Sequence, residues 1–421
     1  MNKYIEVFRR ILKTEEIRKK IIFSLTILLA YRFLAAIPVV GIPADAIALL
    51  FEGSSFGDLL STVSGGVLET ASIAAIGLSP YINASIIFQL LGSVIPKIEE
   101  IKKEGPEGRR RISMYTRLLT VPLAIMQSFV IYSTLRGFGL IGQLEPLELV
   151  VMVATLTAGS ILVMWFAELT SESGVGGGSS YLIFLGIIAG IPGTLRSNFT
   201  IMDPMQKGVF ILITLLLIIS VVYITEAQRR VKVQYSRRVR AGGAMDSYIP
   251  IKLVQFGVMP VIFAVSLLSF PQLIGKFILS RDMSDGIIDF TTRAMALIDN
   301  PYFNNTLTFV MIVGFAFFYL TVVFKTDDLA ENLQKQGGFI PGIRPGKNTS
   351  EYLKKVAFRL ASVGALFLGL ISILPNIFIS IGLMTAAVIT GTGLLIMVNV
   401  VLDIRRQVSS MIVVRDYDRY L

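Results

Sequence analysis

Residues 54–67 read SSFGDLLSTVSGGV, and residues 71–95 read ASIAAIGLSPYINASIIFQLLGSVI. The first segment is too short and too rich in Ser and Gly to cross a bilayer, which takes about 20 mostly apolar residues. The second is long enough. It nevertheless carries Gly77, Pro80, Asn83, Ser85 and Gln89 within its apolar run. Lipid would leave such groups unpaired, so a broken helix facing protein or water is predicted.

The whole chain has the same character. Of its 421 residues, 53% are hydrophobic and 16% charged, with a mean hydropathy of +0.70, which lies outside the range of soluble domains and indicates a polytopic membrane protein. The first 20 residues are charged rather than apolar, so no removable signal peptide is expected. Cysteine and histidine are both absent. Disulfide and thiolate chemistry are thereby excluded, and the usual zinc and iron ligands and the commonest general base are missing, so no cofactor, metal or enzymatic reaction is expected.

Residues 1–20 form a basic amphipathic segment of the interfacial type. Ten candidate spans follow, at 21–38, 73–95, 118–136, 148–168, 180–195, 207–227, 256–275, 304–324, 357–375 and 379–402. Of the 39 Lys and Arg residues, only Arg136, Arg196, Lys207, Lys276, Arg281 and Arg293 fall in external segments when the N-terminus is placed inside, and Arg32 lies within the first span. All others fall in cytoplasmic segments, a bias that sets both termini in the cytoplasm.

Ten spans with both ends inside divide into two sets of five, and an odd number per set inverts the second set. Span 2 contains Gly77-Leu78-Ser79-Pro80-Tyr81-Ile82, and span 7 contains Gly257-Val258-Met259-Pro260-Val261-Ile262, a shared G-x-x-P-x-I. Interruptions at matching positions of inverted repeats point to a central cavity. The expected fold is therefore an all-α polytopic membrane protein, with ten transmembrane helices in two inverted five-helix halves around a central pore. The halves are 21–195 and 207–402, with an external connection at 196–206 and a cytoplasmic tail at 403–421.

Three cytoplasmic segments exceed what a connection needs. Residues 97–117 mix both signs of charge. Residues 228–252 alternate basic with apolar residues over Arg230–Tyr235, as a strand would, before a turn at Gly242 and Gly243. Residues 325–356 hold GGFIPGIRPG, whose prolines stiffen a tip presenting Arg344. Basic loops commonly do no more than fix topology and touch anionic lipid. Three long, turn-structured loops on one face also suit a docking platform for an anionic or nucleic-acid-containing partner. Within the spans, the acids Glu168, Glu226 and Asp403 lie near cytoplasmic ends, leaving the proton or ion relay of a transporter without its usual residues. Scattered Gln and Asn in spans more often join helices than form sites.

These residues resemble the bacterial SecY family, pore subunits of the protein-conducting channel, over essentially the whole chain. The resemblance is carried by SGGVLETASIAAIGLSPYINASIIFQLL, EIKKEGPEGRRRISMYTRLL, QRRVKVQYSRR, GVMPVIFA and ENLQKQGGFIPGIRPGKNTSEYLKK. It implies translocation of proteins across the bacterial cytoplasmic membrane and their lateral insertion into it.

The resemblance also implies particular roles. A plug would comprise Ser54, Ser55, Phe56, Gly57, Asp58, Leu59, Leu60, Ser61, Thr62, Val63 and Ser64. A pore ring would fall on Leu78, Ile82, Ile183, Ile262 and Ile396, with Ser179 as its sixth position, a departure from the usual aliphatic residue. A lateral gate would lie between spans 2 and 3 and spans 7 and 8, with Asn83, Ser85, Gln89, Gln127 and Gln255 as its polar residues. Arg237, Arg238 and Arg240 in the 6/7 loop, with Arg344 and Lys347 in the 8/9 loop, would dock the ribosome or the SecA motor. Further implied partners are the small SecE and SecG subunits, signal sequences with their unfolded secretory or membrane proteins, and anionic lipids. A secondary transporter shares the inverted repeat and is the alternative. An intramembrane enzyme would need a catalytic pair that the spans do not offer.

Overall fold

The computed structural model describes residues 14–39, 72–137, 139, 141–235, 247–279, 284–381 and 390–418. The helices are α1 (Glu15–Ala36), α2 (Ser79–Val94), α3 (Pro96–Lys103), α4 (Pro106–Gly137), α5 (Pro146–Ser173), α6 (Gly178–Ile201) and α7 (Pro204–Glu226). After strands β1 (Gln228–Tyr235) and β2 (Ser247–Lys252) come α8 (Met259–Leu279), α9 (Asp285–Asp299), α10 (Pro301–Val323) and α11 (Thr326–Lys335). Strand β3 (Gly338–Phe339), α12 (Lys347–Ser380) and α13 (Gly391–Asp418) complete the order.

Each of the ten expected spans meets a helix: α1, α2, α4, α5, α6, α7, α8, α10, α12 and α13. Five helices are long and apolar enough to cross a membrane outright, and the pair α2–α3, bent by 102°, makes a sixth. The others fall short for local reasons. Helix α1 carries Lys19, Lys20 and Arg32, while α6 and α8 are apolar over 178–193 and 259–272, just past Pro192 and Pro271.

Several expected boundaries move. Helix α1 begins at Glu15 and runs unbroken into the first span, so the last residues of the basic N-terminal segment belong to the spanning helix. The connection between halves narrows from 196–206 to Met202 and Asp203, because α6 continues to Ile201 and α7 starts at Pro204, its first turn closed by reciprocal bonds between Asp203 and Gln206. Helix α12 passes through Pro375 to Ser380, beyond the expected end of span 9.

The long basic connections are largely structured. Residues 97–117 form α3 and the first turns of α4. The alternating pattern at 230–235 is a strand, as expected. Strand β1 pairs antiparallel with β2, Val231 opposite Ile249, and on its other edge with β3, Gln234 opposite Phe339. The 6/7 and 8/9 segments therefore share one three-stranded sheet, in the order β2-β1-β3. Among the described residues this sheet is the exception to an otherwise helical fold. Beneath it, Val231, Val233, Ile251, Leu333, Ile340, Leu353 and Val356 make a separate small core.

The main core is one apolar cluster drawn from both halves, including residues of α1, α2, α5, α6, α7, α8, α10, α12 and α13. Helix α8 packs on both α2 and α4, and α13 packs on α6, so the halves meet on two sides. The outward faces carry exposed Leu29, Phe33, Leu212, Leu216, Tyr223, Val310 and Leu366. Apolar exposure on this scale suits lipid rather than water as the surrounding solvent.

Candidate functional site

The break predicted in span 2 is present. Residues 73–78 run as consecutive turns, tied to the end of α1 by the Ile73 N–H donating to the Ile37 carbonyl at 3.0 Å, and α2 starts only at Ser79. Its 16 residues rise about 24 Å, less than the roughly 30 Å hydrocarbon core. The preceding turns make up the remainder, and they are buried in protein: Ala74 and Ala75 are fully enclosed. At the far end, Ile95 precedes Pro96 and is extended (φ −99°, ψ 112°), as the residue before proline prefers, which turns the chain into α3.

The same construction recurs in span 7. Gly77 has φ 59° and Gly257 has φ 61°, both left-handed, a conformation nearly free to glycine alone. In each case the helix starts two residues later, at Ser79 and at Met259, with Pro80 and Pro260 in the first turn. A second pair extends the correspondence. A Cβ on Gly159 of span 4 would lie 2.0 Å from the Ile73 carbonyl oxygen, and one on Gly364 of span 9 would lie 2.6 Å from the Leu253 carbonyl oxygen. Ile73 and Leu253 each precede the left-handed glycine by four residues. The inverted repeat is thus written in the backbone, in residue pairs that the shared G-x-x-P-x-I alone does not reveal.

Three of the residues expected to form the ring lie beside these breaks. Leu78 lies at the N-terminal edge of α2 with Ile82 one turn on, and Ile262 occupies the first turn of α8; all three are buried. Ile183 of α6 and Ile396 of α13 are buried too, and the five belong to the same apolar cluster. Ser179 is half-buried on the first turn of α6. Ile187, one turn beyond Ile183 in the other direction, packs against the cluster.

The expected gate residues differ in their surroundings. Asn83 is buried, and its Oδ1 has no hydrogen-bond partner among the described residues. Ser85 and Gln89 are half-buried on α2. Gln127 is buried on α4, and its Nε2 donates to the Ser79 hydroxyl at 3.4 Å. That bond joins α2 to α4 within one half and does not cross to the other. Gln255 precedes α8 and lines a cavity of about 200 Å³ with Lys252, Phe256, Tyr319 and Phe324. Its Oε1 is buried without a partner among the described residues, Gln89 included.

Sequence reasoning missed three polar residues on α8. Ser266, Ser269 and Gln272 are buried at three-residue spacing along the helix that meets α2 and α4. Neither amide atom of Gln272 has a partner among the described residues. The spacing was visible in the run FAVSLLSFPQ. Which helices would face it was not.

At the charged rim, a cavity of about 400 Å³ separates Glu99 and Lys103 of α3 from Lys325, Asp327, Asp328 and Lys354 of the opposite half. The Lys102 ammonium is held below its usual range by burial, its side chain lying over Gly92. Burial likewise depresses Lys252 at the end of β2, aided by Arg406. The acids near span ends are ion-paired. Glu168 meets Arg117 at 2.6 Å, Glu226 meets Arg405 and Arg406 at 2.7 and 2.8 Å, and Asp403 meets Arg406 at 3.3 Å. Among the described residues, no group of three or more His, Cys, Asp or Glu is arranged to hold a metal ion.

Of the expected docking residues, Arg344 and Lys347 are exposed at the tip beyond β3. Arg237, Arg238 and Arg240 lie outside the described residues, as does the expected plug at 54–64. Strand β1 adds exposed Arg229 and Arg230, the latter with its guanidinium 4.8 Å from the centre of the Tyr248 ring.

A polytopic helical bundle of two inverted halves packed on one apolar core has the architecture of a membrane channel or transporter, and comparison with known proteins separates the two. The SecY family model matches residues 72–405, and this chain belongs to the SecY family. It is 39% identical to the protein translocase subunit SecY of Streptomyces griseus, covering 98% of this chain and 99% of that one. It is 37% identical to that of Mycobacterium tuberculosis, covering 99% and 100%. Among solved structures it resembles one described as the structure of a protein conducting channel, with a TM-score of 0.69 at 20% identity over 93% of this chain and 92% of that one. It also resembles the Sec61 channel of a canine ribosome-channel complex, with a TM-score of 0.66 at 20% identity over the same shares.

Proposed function

We propose that this chain forms the pore through which unfolded polypeptides cross the bacterial cytoplasmic membrane and from which apolar segments leave sideways into lipid. One observation carries the reading. The mirrored breaks at Gly77 and Gly257 bring Leu78, Ile82 and Ile262 into the apolar core that also holds Ile183 and Ile396, where α8 of one half lies against α2 and α4 of the other. Aliphatic side chains at a constriction offer a passing chain no fixed hydrogen bonds, and a narrow apolar collar resists wetting. Ile187 is our choice for the ring's sixth position, since it is apolar and packs on the cluster one helical turn from Ile183, whereas Ser179, one turn the other way, is polar.

The gate in this reading is the seam of α2 and α4 against α8 and α10. Residues 54–64 act as its plug, and both termini are cytoplasmic, as the Lys and Arg bias requires. The halves are joined at Met202 and Asp203. The shared sheet, with Arg344 and Lys347 at its tip and Arg237, Arg238 and Arg240 in the 6/7 loop, docks a ribosome or the SecA motor. SecE and SecG cover part of the exposed apolar flank, and anionic lipids meet the basic rim. The channel hydrolyses nothing. A solute transporter is disfavoured because Glu168, Glu226 and Asp403 are neutralised in ion pairs at the span ends.

The test uses the natural absence of cysteine. With Gln89→Cys and Gln255→Cys, or facing positions on α2 and α8, a disulfide locks the seam. Secretion should stop under oxidation and return on reduction. Secretion that continues with the bond verified as formed defeats the proposal.

A further inference from the structure

Helix α9 follows span 7 in a segment that the span pattern reads only as an external connection. Its 15 residues, DGIIDFTTRAMALID, are sorted by face. Thr291 and Met295 are buried against the neighbouring spans, and Met295 lies directly over Gly275 of α8, where an added Cβ would meet its sulfur at 2.4 Å. Asp285, Asp289, Arg293 and Asp299 are exposed on the opposite side, Arg293 pairing with Asp289 at 2.9 Å. Between these faces stand Ile287, Phe290 and Leu297, exposed by 46%, 74% and 59%.

Three large apolar side chains on one stripe of a surface helix call for a cover, and the neighbouring chain indicates which. After Asn300, whose side chain accepts from the Tyr302 N–H, α10 begins with Tyr302 and Phe303, both exposed, and continues to exposed Val310. The only exposed polar side chain between them, Thr306, has its hydroxyl bonded to the Tyr302 carbonyl at 2.8 Å. The apolar stripe of α9 thus sits on a helix that packs against a spanning helix whose own exposed side chains beside it are apolar. Aromatic residues stand at the junction, where they are enriched at membrane interfaces. The polar face carries three Asp and one Arg, so anionic headgroups would not be drawn to it.

We propose that α9 lies flat in the outer surface of the membrane, with Ile287, Phe290 and Leu297 among the headgroups and upper acyl chains of zwitterionic lipid, and so anchors the outer end of α8. Motion of α8 would then carry a lipid-embedded helix with it, making the packing of the outer leaflet a load on the seam. The outer placement rests on the orientation proposed above; the lipid contact does not.

The experiment uses the full-length chain, cysteine-free by nature, in nanodiscs of phosphatidylcholine and phosphatidylethanolamine. Nitroxide labels are placed singly by Ile287→Cys, Phe290→Cys, Leu297→Cys, Asp289→Cys and Arg293→Cys. Labels at the first three positions should favour collision with oxygen over a water-soluble nickel complex, at a depth of about 5–10 Å. Those at 289 and 293 should show the reverse. Replacing a third of the lipid with phosphatidylglycerol should leave the pattern unchanged. Uniform accessibility to nickel would overturn the proposal, as would shielding of 287, 290 and 297 from both reagents, which would mean that a second copy covers the face. Labelling of Asp289→Cys by an impermeant thiol reagent only from the cytoplasmic side would overturn the outer placement, and with it the orientation, whatever the collision pattern.

Discussion

A methyl group on Gly159 has nowhere to go, because the Ile73 carbonyl oxygen occupies the site at 2.0 Å and backbone cannot yield as a side-chain end can. Next to it, the Ser160 hydroxyl donates to the Gly77 carbonyl at 2.9 Å, satisfying a group that the break has taken out of any helix. Gly159→Ala should therefore destabilise by roughly 1–3 kcal/mol or more through overpacking, and Ser160→Ala by about 1–3 kcal/mol through a buried, unsatisfied carbonyl. Gly77→Ala or Gly257→Ala should cost about 1–2 kcal/mol from the left-handed backbone alone, since nothing crowds Gly257. Gly314→Ala, in open space on a helix, serves as the control and should be neutral or mildly stabilising. Thermal melts of the purified variants check all five. The breaks themselves were legible from glycine, proline and polar residues inside an apolar run. The roles of Gly159 and Ser160 were not, because glycine and serine are ordinary in membrane helices and their value here comes from a carbonyl more than 80 residues distant.

At the scale of elements, the 6/7 and 8/9 segments looked like two separate basic loops, each read for its own turn signals. Their joint sheet changes what a substitution does. Leu353 is fully buried beneath it, at the base of α12, so Leu353→Ala should cost about 2–5 kcal/mol and loosen both segments together. Limited proteolysis at both loops should report it. Arg344→Glu, at an exposed tip, should leave the melt within about 0.5 kcal/mol of the parent and reduce translocation in reconstituted vesicles. Normal translocation by that variant would remove Arg344 from the docking surface. Strand β1 could be recognised from its alternation. Its pairing with β3 involves only two residues on the far partner, too little for any pattern in the sequence to announce. Helix α9 was hidden for another reason: its apolar stripe is narrow, and span-finding looks for long uniform runs.

At the scale of the whole molecule, the halves are fastened away from the seam as well as along it. The turn after α5 is held on one side by the Ser24 hydroxyl, which accepts from the Val175 N–H at 3.0 Å, and on the other by the Gln407 side-chain oxygen, which accepts from the Gly176 N–H. Ile17, Val175 and Val408 form a small apolar cluster around it. The first helix, a loop of the first half and the last helix of the second half are thereby clasped together. Gln407→Leu removes the acceptor and should lower stability by about 1–2 kcal/mol. It should also widen the distance distribution between spin labels on α1 and α13, measured by pulsed electron resonance; an unchanged distribution would show that the apolar cluster suffices.

The sequence by itself determined the solvent, the number of spans, their orientation bias, the two breaks and the kinship with SecY. Each of these depends on the local balance of apolar against polar residues or on the order of long motifs along the chain. Only the tertiary structure decided that Gly159 and Gly364 mirror each other against carbonyls of the breaks. It alone decided that Gln127 bonds within its own half, that Ile187 packs on the shared apolar cluster, and that two loops fuse into one sheet. Those outcomes turn on ångström distances between residues far apart in the chain, set by how helices pack, and composition carries no record of them.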